Sequence, residues 1–232
     1  MELNERQQQI YDIIYAKKKI SVTKLAQLLY VSQMTIRRDL ALMEKGGYLK
    51  RYRGGAMEIP QNDSSPILKR VLVDEEEKRR LGKLAATFLT DNMCIFIDSS
   101  STTYFVIPHI KKFSNIKVIT NSIYSLTLLT KLNIPTFLIG GEYDEHDMCC
   151  IGSSAEQLAD KLNVDIAFIS TLGISDDGYI TDSSPNITAI KERIYKNAKQ
   201  TVFLFEKSKV GKKGVYTLCH KDDENVTVLY SE

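Results

Sequence analysis

The segment VSQMTIRRDL, residues 31–40, sets two adjacent arginines beside a serine and a threonine. Ser32 suits the start of a helix, because its hydroxyl can accept a hydrogen bond from an unpaired amide of the first turn. Counting from Gln33, the side chains of Ile36, Leu40 and Met43 fall on one side at i, i+4 and i+7, a stripe made for burial. Met34, Arg37, Arg38 and Ala41 share the opposite face, with Gln33 and Thr35 near its N-terminal end. Gly46 and Gly47 stop the helix, since glycine accepts the left-handed backbone that a helix end often needs. Upstream, Asn4 caps a helix in which Ile10, Ile13 and Ile14 recur at helical spacing, and Ser21 caps a short one with Val22, Leu25, Ala26 and Leu29 as its stripe. Tyr30 and Val31 form the tight turn between that helix and the next.

Downstream, residues 48–53 alternate as a strand does and end at Gly54 and Gly55, which reads as a small hairpin, or wing. Arg37 and Arg38 alone would fit a solvated helix face. A short helix, a tight turn, a helix with a basic outward face and then a basic hairpin is the order of a winged helix-turn-helix. Arginine reaches guanine edges and phosphates, glutamine pairs with adenine, and the helix N-terminus offers amides to a phosphate.

Charge divides along the chain in the same sense. Residues 1–57 carry eleven Lys and Arg against five Asp and Glu, net +6, while the whole protein is +2, so the remainder is −4. A basic head on a mildly acidic body suits a partner that is double-stranded DNA. Of the 232 residues 43% are hydrophobic, enough for a small and a larger unit. No apolar run approaches the length of a membrane span, and the polar start MELNERQQQI is unlike a signal peptide, so a cytoplasmic protein without a membrane partner is expected. Cys94, Cys149, Cys150 and Cys219 lack CxxC spacing and read as reduced thiols. His109, His146 and His220 lie far apart in sequence, so neither a metal nor another cofactor is expected.

Residues 58–74 include EIPQNDSSP, rich in turn formers, and are expected to link a domain at 1–57 to one at 75–232. In the second domain, a helix at 75–89 with Leu81, Leu84, Ala85 and Phe88 on one side precedes short apolar runs at 93–98, 117–120, 136–139, 166–170, 202–205 and 226–230. Helical stretches at 102–110, 122–132, 154–162 and 187–198 lie between them. Alternation of this length predicts an α/β fold, with parallel strands and helices on both faces. The stretch IFIDSSSTTYF, residues 95–105, is a strand ending in Asp98 and a run of hydroxyls before a helix. Such a loop suits a phosphate, and it suits an ordinary capped helix equally well.

The segment KISVTKLAQLLYVSQMTIRRDLALMEKGGYLKRYRGGA resembles the N-terminal signature of the DeoR family of bacterial transcriptional regulators, above all in TIRRDL and RGGA. The resemblance extends through Asp98 and its Ser/Thr loop, ITNS at 119–122, LIGG at 138–141, Gly152, LGI at 172–174, Gly178, Lys191 and SKVG at 208–211. It implies a larger domain related in fold to ribose-5-phosphate isomerase and the coenzyme A transferases. It implies that Ser32, Gln33, Thr35, Arg37 and Arg38 face an operator while Lys50, Arg51 and Arg53 hold its backbone. It implies also that a phosphorylated sugar controls a homo-oligomeric repressor, a dimer or tetramer. In that reading Ser99, Ser100, Ser101, Thr102 and Thr103 form the phosphate loop, Asp98 and Asn121 bond hydroxyls, and Lys209 adds positive charge.

The sequence departs from the family's pattern at Ser100, where a glycine is usual, and at Leu172 and Ile187, where acids are usual. It departs again at Glu206, in place of an aspartate, and at Lys207, in place of a small residue. A β-carbon at Ser100 is expected to hinder close approach of a phosphate to the backbone. Leu172 cannot serve as the base an isomerase needs, which favours a binding domain over an enzyme. An isomerase-like enzyme with a DNA-binding head, and a DNA binder that senses nothing, are the alternatives.

Overall fold

A computed structural model describes residues 3–58 and 65–231, which divide into two compact units between Lys69 and Arg70. In the first unit, helix α1 (Glu5–Lys17) begins with a capping box. The Asn4 side chain accepts from the Gln7 amide at 3.0 Å, and the Gln7 side chain accepts from the Asn4 amide at 3.2 Å. Strand β1 (Lys19–Ser21) leads to α2 (Val22–Leu28), and Tyr30, at φ 54°, turns the chain toward α3 (Gln33–Lys45). Ile36, Leu40 and Met43 are buried as the spacing predicts, as are Ile10 and Ile14 of α1 and Leu25 of α2. Strands β2 (Lys50–Tyr52) and β3 (Gly55–Met57) make the wing, turning at Gly54 with φ 95°.

Two details differ from the sequence reading. The wing is three-stranded in the order β1-β3-β2, because Lys19–Ser21 pairs along the free edge of β3. Tyr48 and Leu49 are both buried and precede the strand, so alternation begins only at Lys50. Of the stretch expected to be a linker, residues 59–64 lie outside the described part. Residues Ile67–Leu72 form helix α4, with Ile67 and Val71 buried.

The second unit continues with α5 (Glu75–Ala85) and then β4 (Cys94–Ile97), α6 (Ile107–Ile110), β5 (Lys117–Thr120), α7 (Ile123–Lys131) and β6 (Thr136–Leu138). A hairpin of β7 (Glu142–Asp144) and β8 (Cys149–Ile151) precedes α8 (Ser153–Ala159), β9 (Val164–Ile169), β10 (Gly173–Ile174) and β11 (Tyr179–Asp182). The chain ends through α9 (Pro185–Asn197), β12 (Ala198–Phe205), β13 (Tyr216–His220) and β14 (Val226–Tyr230). The six apolar runs become one parallel sheet in the order β14-β12-β9-β4-β5-β6.

Side chains alternate across that sheet. Ile95, Ile97, Phe168 and Leu204 pack with Leu81, Ala85, Val106 and Leu129 on one face, and Phe96, Ala167, Ile169 and Phe203 pack with Ala155, Ile190 and Ile194 on the other. Leu81 and Ala85 of α5 are buried as expected and Phe88 packs against the same core, but Leu84 is 43% exposed, and the buried side of the helix also takes in Lys78 and Gly82. The chain winds from β4 out through β5 to β6, then returns to the other side of β4 and continues outward from β9. In such open sheets the ligand crevice lies at the carboxyl ends of the strands where the winding reverses, here those of β4 and β9.

Candidate DNA interface and effector pocket

Helix α3 presents Gln33, Met34, Arg37 and Arg38 to solvent. The Ser32 hydroxyl accepts from the Thr35 amide at 3.1 Å and lies 3.0 Å from the Thr35 hydroxyl, so this pair shapes the helix start. Arg37 reaches back to the Gln33 side-chain carbonyl at 3.5 Å. Asp39, next to the arginine pair, faces the other way. It is buried and accepts two bonds from Arg6, at 2.7 and 3.2 Å, locking α1 to α3. On the wing, Lys50 and Arg53 are exposed, whereas Arg51 donates to Glu44 through its amide at 2.8 Å and its guanidinium at 2.7 Å. Those bonds hold the Glu44 carboxyl below its ordinary range. A groove of about 450 Å³ separates α3 from the wing, lined by Arg37, Arg51 and Arg53 among other residues. Three guanidinium groups along one groove match the phosphate backbone of a duplex.

At the carboxyl end of β4, Asp98 organises its own loop. One carboxylate oxygen accepts from the Ser100 amide at 3.0 Å, the Ser100 hydroxyl at 2.6 Å and the Thr103 hydroxyl at 2.6 Å. The other accepts from the Ser170 amide at 3.1 Å and stands 3.4 Å from Lys191 Nζ. Ser100 is thus part of the loop's internal bonding, a role its replacement for glycine did not suggest. Lys191 is buried and donates to Asp182 at 2.7 Å and to the Ser170 carbonyl at 2.6 Å. Burial pushes its ammonium down, but Asp182 and Asp98 outweigh burial and hold it above the ordinary lysine range.

Beside this group lies a second one. The Thr102 hydroxyl donates to Glu206 at 2.8 Å, and Lys209 Nζ donates to the Ser170 hydroxyl at 2.7 Å and the Thr102 hydroxyl at 3.3 Å. Lys209 also pairs with Glu206 at 3.0 Å, and Lys78 pairs with it at 3.6 Å. Burial pushes the Glu206 carboxyl up, yet Lys209 and Lys78 bring it down to about 2. Burial lowers Lys78 to about 8, because it shares the single Glu206 charge with Lys209 and is only partly compensated.

The structure therefore brings Asp98, Ser100, Thr102, Thr103 and Lys209 together, with Ser99 and Ser101 buried in the same loop. Asn121 is buried as well, and its side-chain amide donates to the Cys150 carbonyl at 3.1 Å. Lys78, Ser170 and Asp182 belong to this cluster and were not expected in it, while Glu206 entered the sequence reading only as a departure from the family and Lys191 only as a landmark. Lys78 was hidden in a charged helix of EEEKRR, where nothing marks one lysine as buried. The Asp98 carboxylate, engaged by four donors and an ammonium, is a structural anchor and not a poised base. Leu172 stands half-buried just beyond β9 and carries no proton-transfer group.

His146 departs from the isolation expected of it, since it shares a cluster with Asp144 and Asp147. Arg70 already neutralises Asp147 there, at 2.6 Å. All four cysteines are free thiols. Among the described residues, no helix is long and apolar enough to cross a membrane.

Two family models cover nearly the whole chain: a DeoR-like helix-turn-helix domain matches residues 6–62, and a DeoR C-terminal sensor domain matches residues 73–229. The chain is 30% identical to an HTH-type transcriptional regulator FruR of Bacillus subtilis, over 89% of this chain and 83% of that one. It is 32% identical to the HTH-type transcriptional repressor GlcR of the same organism, over 93% of this chain and 84% of that one. It is 28% identical to the L-fucose operon activator of Haemophilus influenzae, over 99% and 92% of the two chains. Among solved structures, ribose 5-phosphate isomerase A from Methanocaldococcus jannaschii aligns with 59% of this chain and 55% of its own, at a TM-score of 0.44 and 19% identity. With a helix-turn-helix unit in front, a sensor domain behind it and relatives matched along most of their length, the chain belongs to the DeoR family of DNA-binding transcriptional regulators.

Proposed function

We propose that the protein is a cytoplasmic, homo-oligomeric repressor of sugar-metabolism genes whose hold on its operator is set by a phosphorylated sugar in the β4–β9 crevice. Arg37 and Arg38 read base edges from α3, while Lys50, Arg51 and Arg53 grip the backbone from the wing. Residues 58–74 connect reader and sensor. The observation that carries this reading is the meeting of Lys209, Thr102 and Ser170 at the strand ends where the sheet reverses its winding. A cationic donor with two hydroxyls at a switch point is chemistry suited to a phosphoryl group. A relative named for the L-fucose operon and another named a repressor support the sugar-related and repressing roles. Symmetric oligomers reading paired half-sites provide the specificity that one small head lacks.

The test begins with duplexes selected by the protein from a random pool, titrated by fluorescence anisotropy with and without sugar phosphates and their parent sugars. Tight, salt-sensitive binding to a paired site, weakened by a phosphorylated sugar and not by its parent, is the expected outcome. Selection that yields no sequence preference, or a complex indifferent to every phosphorylated sugar, would overturn the reading.

A further inference from the structure

Glu206 holds the donors that a bound phosphoryl group would need. Its carboxylate is 98% buried and lies 2.8 Å from the Thr102 hydroxyl and 3.0 Å from Lys209 Nζ, distances at which a phosphate oxygen would also sit. The oxygen nearer Lys209 accepts no aligned hydrogen bond, so it is held by charge alone. Around it are two ammonium groups for one carboxylate, Lys209 on one side and Lys78 on the other. An anion arriving at Lys209 and Thr102 meets a tethered competitor already in place.

Lys78 connects this competitor to the beginning of the sensor domain. Its ammonium donates to the Arg70 carbonyl in a short bond and to the Val73 carbonyl at 2.7 Å, both at the end of α4. Its neighbour Glu77 accepts from the Lys207 amide at 2.7 Å and from the hydroxyl of Ser231, which itself accepts from the Lys207 amide at 3.2 Å, so the first turn of α5 is fastened to the 206–209 turn directly and through Ser231. Further along α5, a β-carbon at Gly82 would stand 2.2 Å from the Phe105 carbonyl oxygen, which shows how closely the helix also lies on the segment following the Thr103 loop. Helix α5 thus touches both the 206–209 turn and the segment that follows the Thr103 loop.

We propose that Glu206 is a built-in stand-in for the effector's phosphoryl group, displaced on binding so that its charge passes to Lys78, which then leaves the carbonyls at the end of α4. This rests on the crevice being the effector site. Bonded to Glu206, Thr102 and Lys209 are satisfied internally, which spares the cluster an unpaired buried charge. In the occupied state the phosphoryl group takes both donors, and Lys78 becomes the sole counter-charge of Glu206. Glu206 now stands 3.6 Å from the Lys78 ammonium, so closing to a direct bond draws that ammonium away from the Arg70 and Val73 carbonyls, and the restraint on α4 weakens.

The experiment uses the full-length protein with inorganic phosphate, glucose 6-phosphate and glucose as probes, followed by calorimetry and by hydrogen exchange over residues 67–73. Removing the competitor in Glu206→Gln is expected to tighten phosphate binding by about tenfold or more, the weight of a charge-assisted bond. Glu206→Asp keeps the charge balance and retracts the carboxylate by one methylene, so it covers the case in which Glu206→Gln does not fold; it too is expected to bind more tightly than wild type. Phosphate should speed exchange over residues 67–73 in the wild type and leave it unchanged in Glu206→Gln, which has no charge to pass to Lys78. Preference for glucose 6-phosphate over inorganic phosphate identifies a sugar-borne phosphoryl group, and the reverse a free one. Affinity that is no greater in either variant, or no exchange response in the wild type, would overturn the proposal. Operator titrations in the same samples separate the two ideas. Tighter phosphate binding without any effect on operator affinity leaves the Glu206 role standing and removes effector control, whereas effector-released operator with no gain in Glu206→Gln does the opposite.

Discussion

Arg37 and Arg38 are exposed on a helix whose opposite face is fully buried, so their substitution tests recognition with little effect on packing. Arg37→Ala and Arg38→Ala are each expected to weaken binding to a selected operator by about 1–3 kcal/mol, with relaxed preference at one base position apiece. Lys50→Ala should instead weaken all duplexes alike and flatten the salt dependence. Anisotropy titrations at several salt concentrations check both, and a double arginine variant of unchanged affinity would remove α3 from the reading role. The basic residues were legible because the apolar stripe of α3 leaves them only one direction to point. Asp39 was not: its place beside Arg37 and Arg38 in sequence says nothing of Arg6, which reaches it from another helix. Asn121 shows the same limit, since the sequence does not say that its amide donates to a carbonyl of a strand 29 residues away.

At the level of elements, the six strands of the central sheet were readable because strands buried on both faces are nearly continuous apolar runs. The hairpin of β7 and β8 and the sheet of β10, β11 and β13 were not, because strands of two to five residues have no period to detect and exist through their pairing partners. The buried side of helix α5 was readable at Leu81 and Ala85, but not in having Lys78 inside and Leu84 outside. Its seat on the pocket gives an element-scale prediction. Gly82→Ala places a methyl group 2.2 Å from the Phe105 carbonyl oxygen, a backbone atom that cannot move alone. The substitution is expected to destabilise the sensor domain by about 1–3 kcal/mol despite the higher helix propensity of alanine, as overpacked sites do. Urea unfolding measures this, and a stabilised variant would show that α5 is not pressed against that segment.

For the whole molecule, the buried charges set how stability responds to pH. The folded-state Glu206 carboxyl lies near 2, below its ordinary 4.5, so the stability it contributes is complete above 4.5 and is lost as pH falls toward 2. The folded-state Lys78 ammonium lies near 8, below its ordinary 10.5, so the unfolded chain binds the extra proton between those values and stability rises with pH across that window. Melting temperatures measured across pH are expected to show a flatter acid limb in Glu206→Gln and a flatter alkaline limb in Lys78→Met; profiles parallel to the wild type would refute the assignment. The sequence alone determined the basic reading head, the parallel α/β body and the Asp98 loop, because periodicity, capping and apolar runs are local and act within a few residues. Only tertiary structure decided that Lys78, Thr102, Glu206 and Lys209 meet, and that Asp98 closes on Ser170 and Lys191. Charges separated by a hundred residues become partners when a sheet places its strand ends side by side and excludes the water that would otherwise screen them.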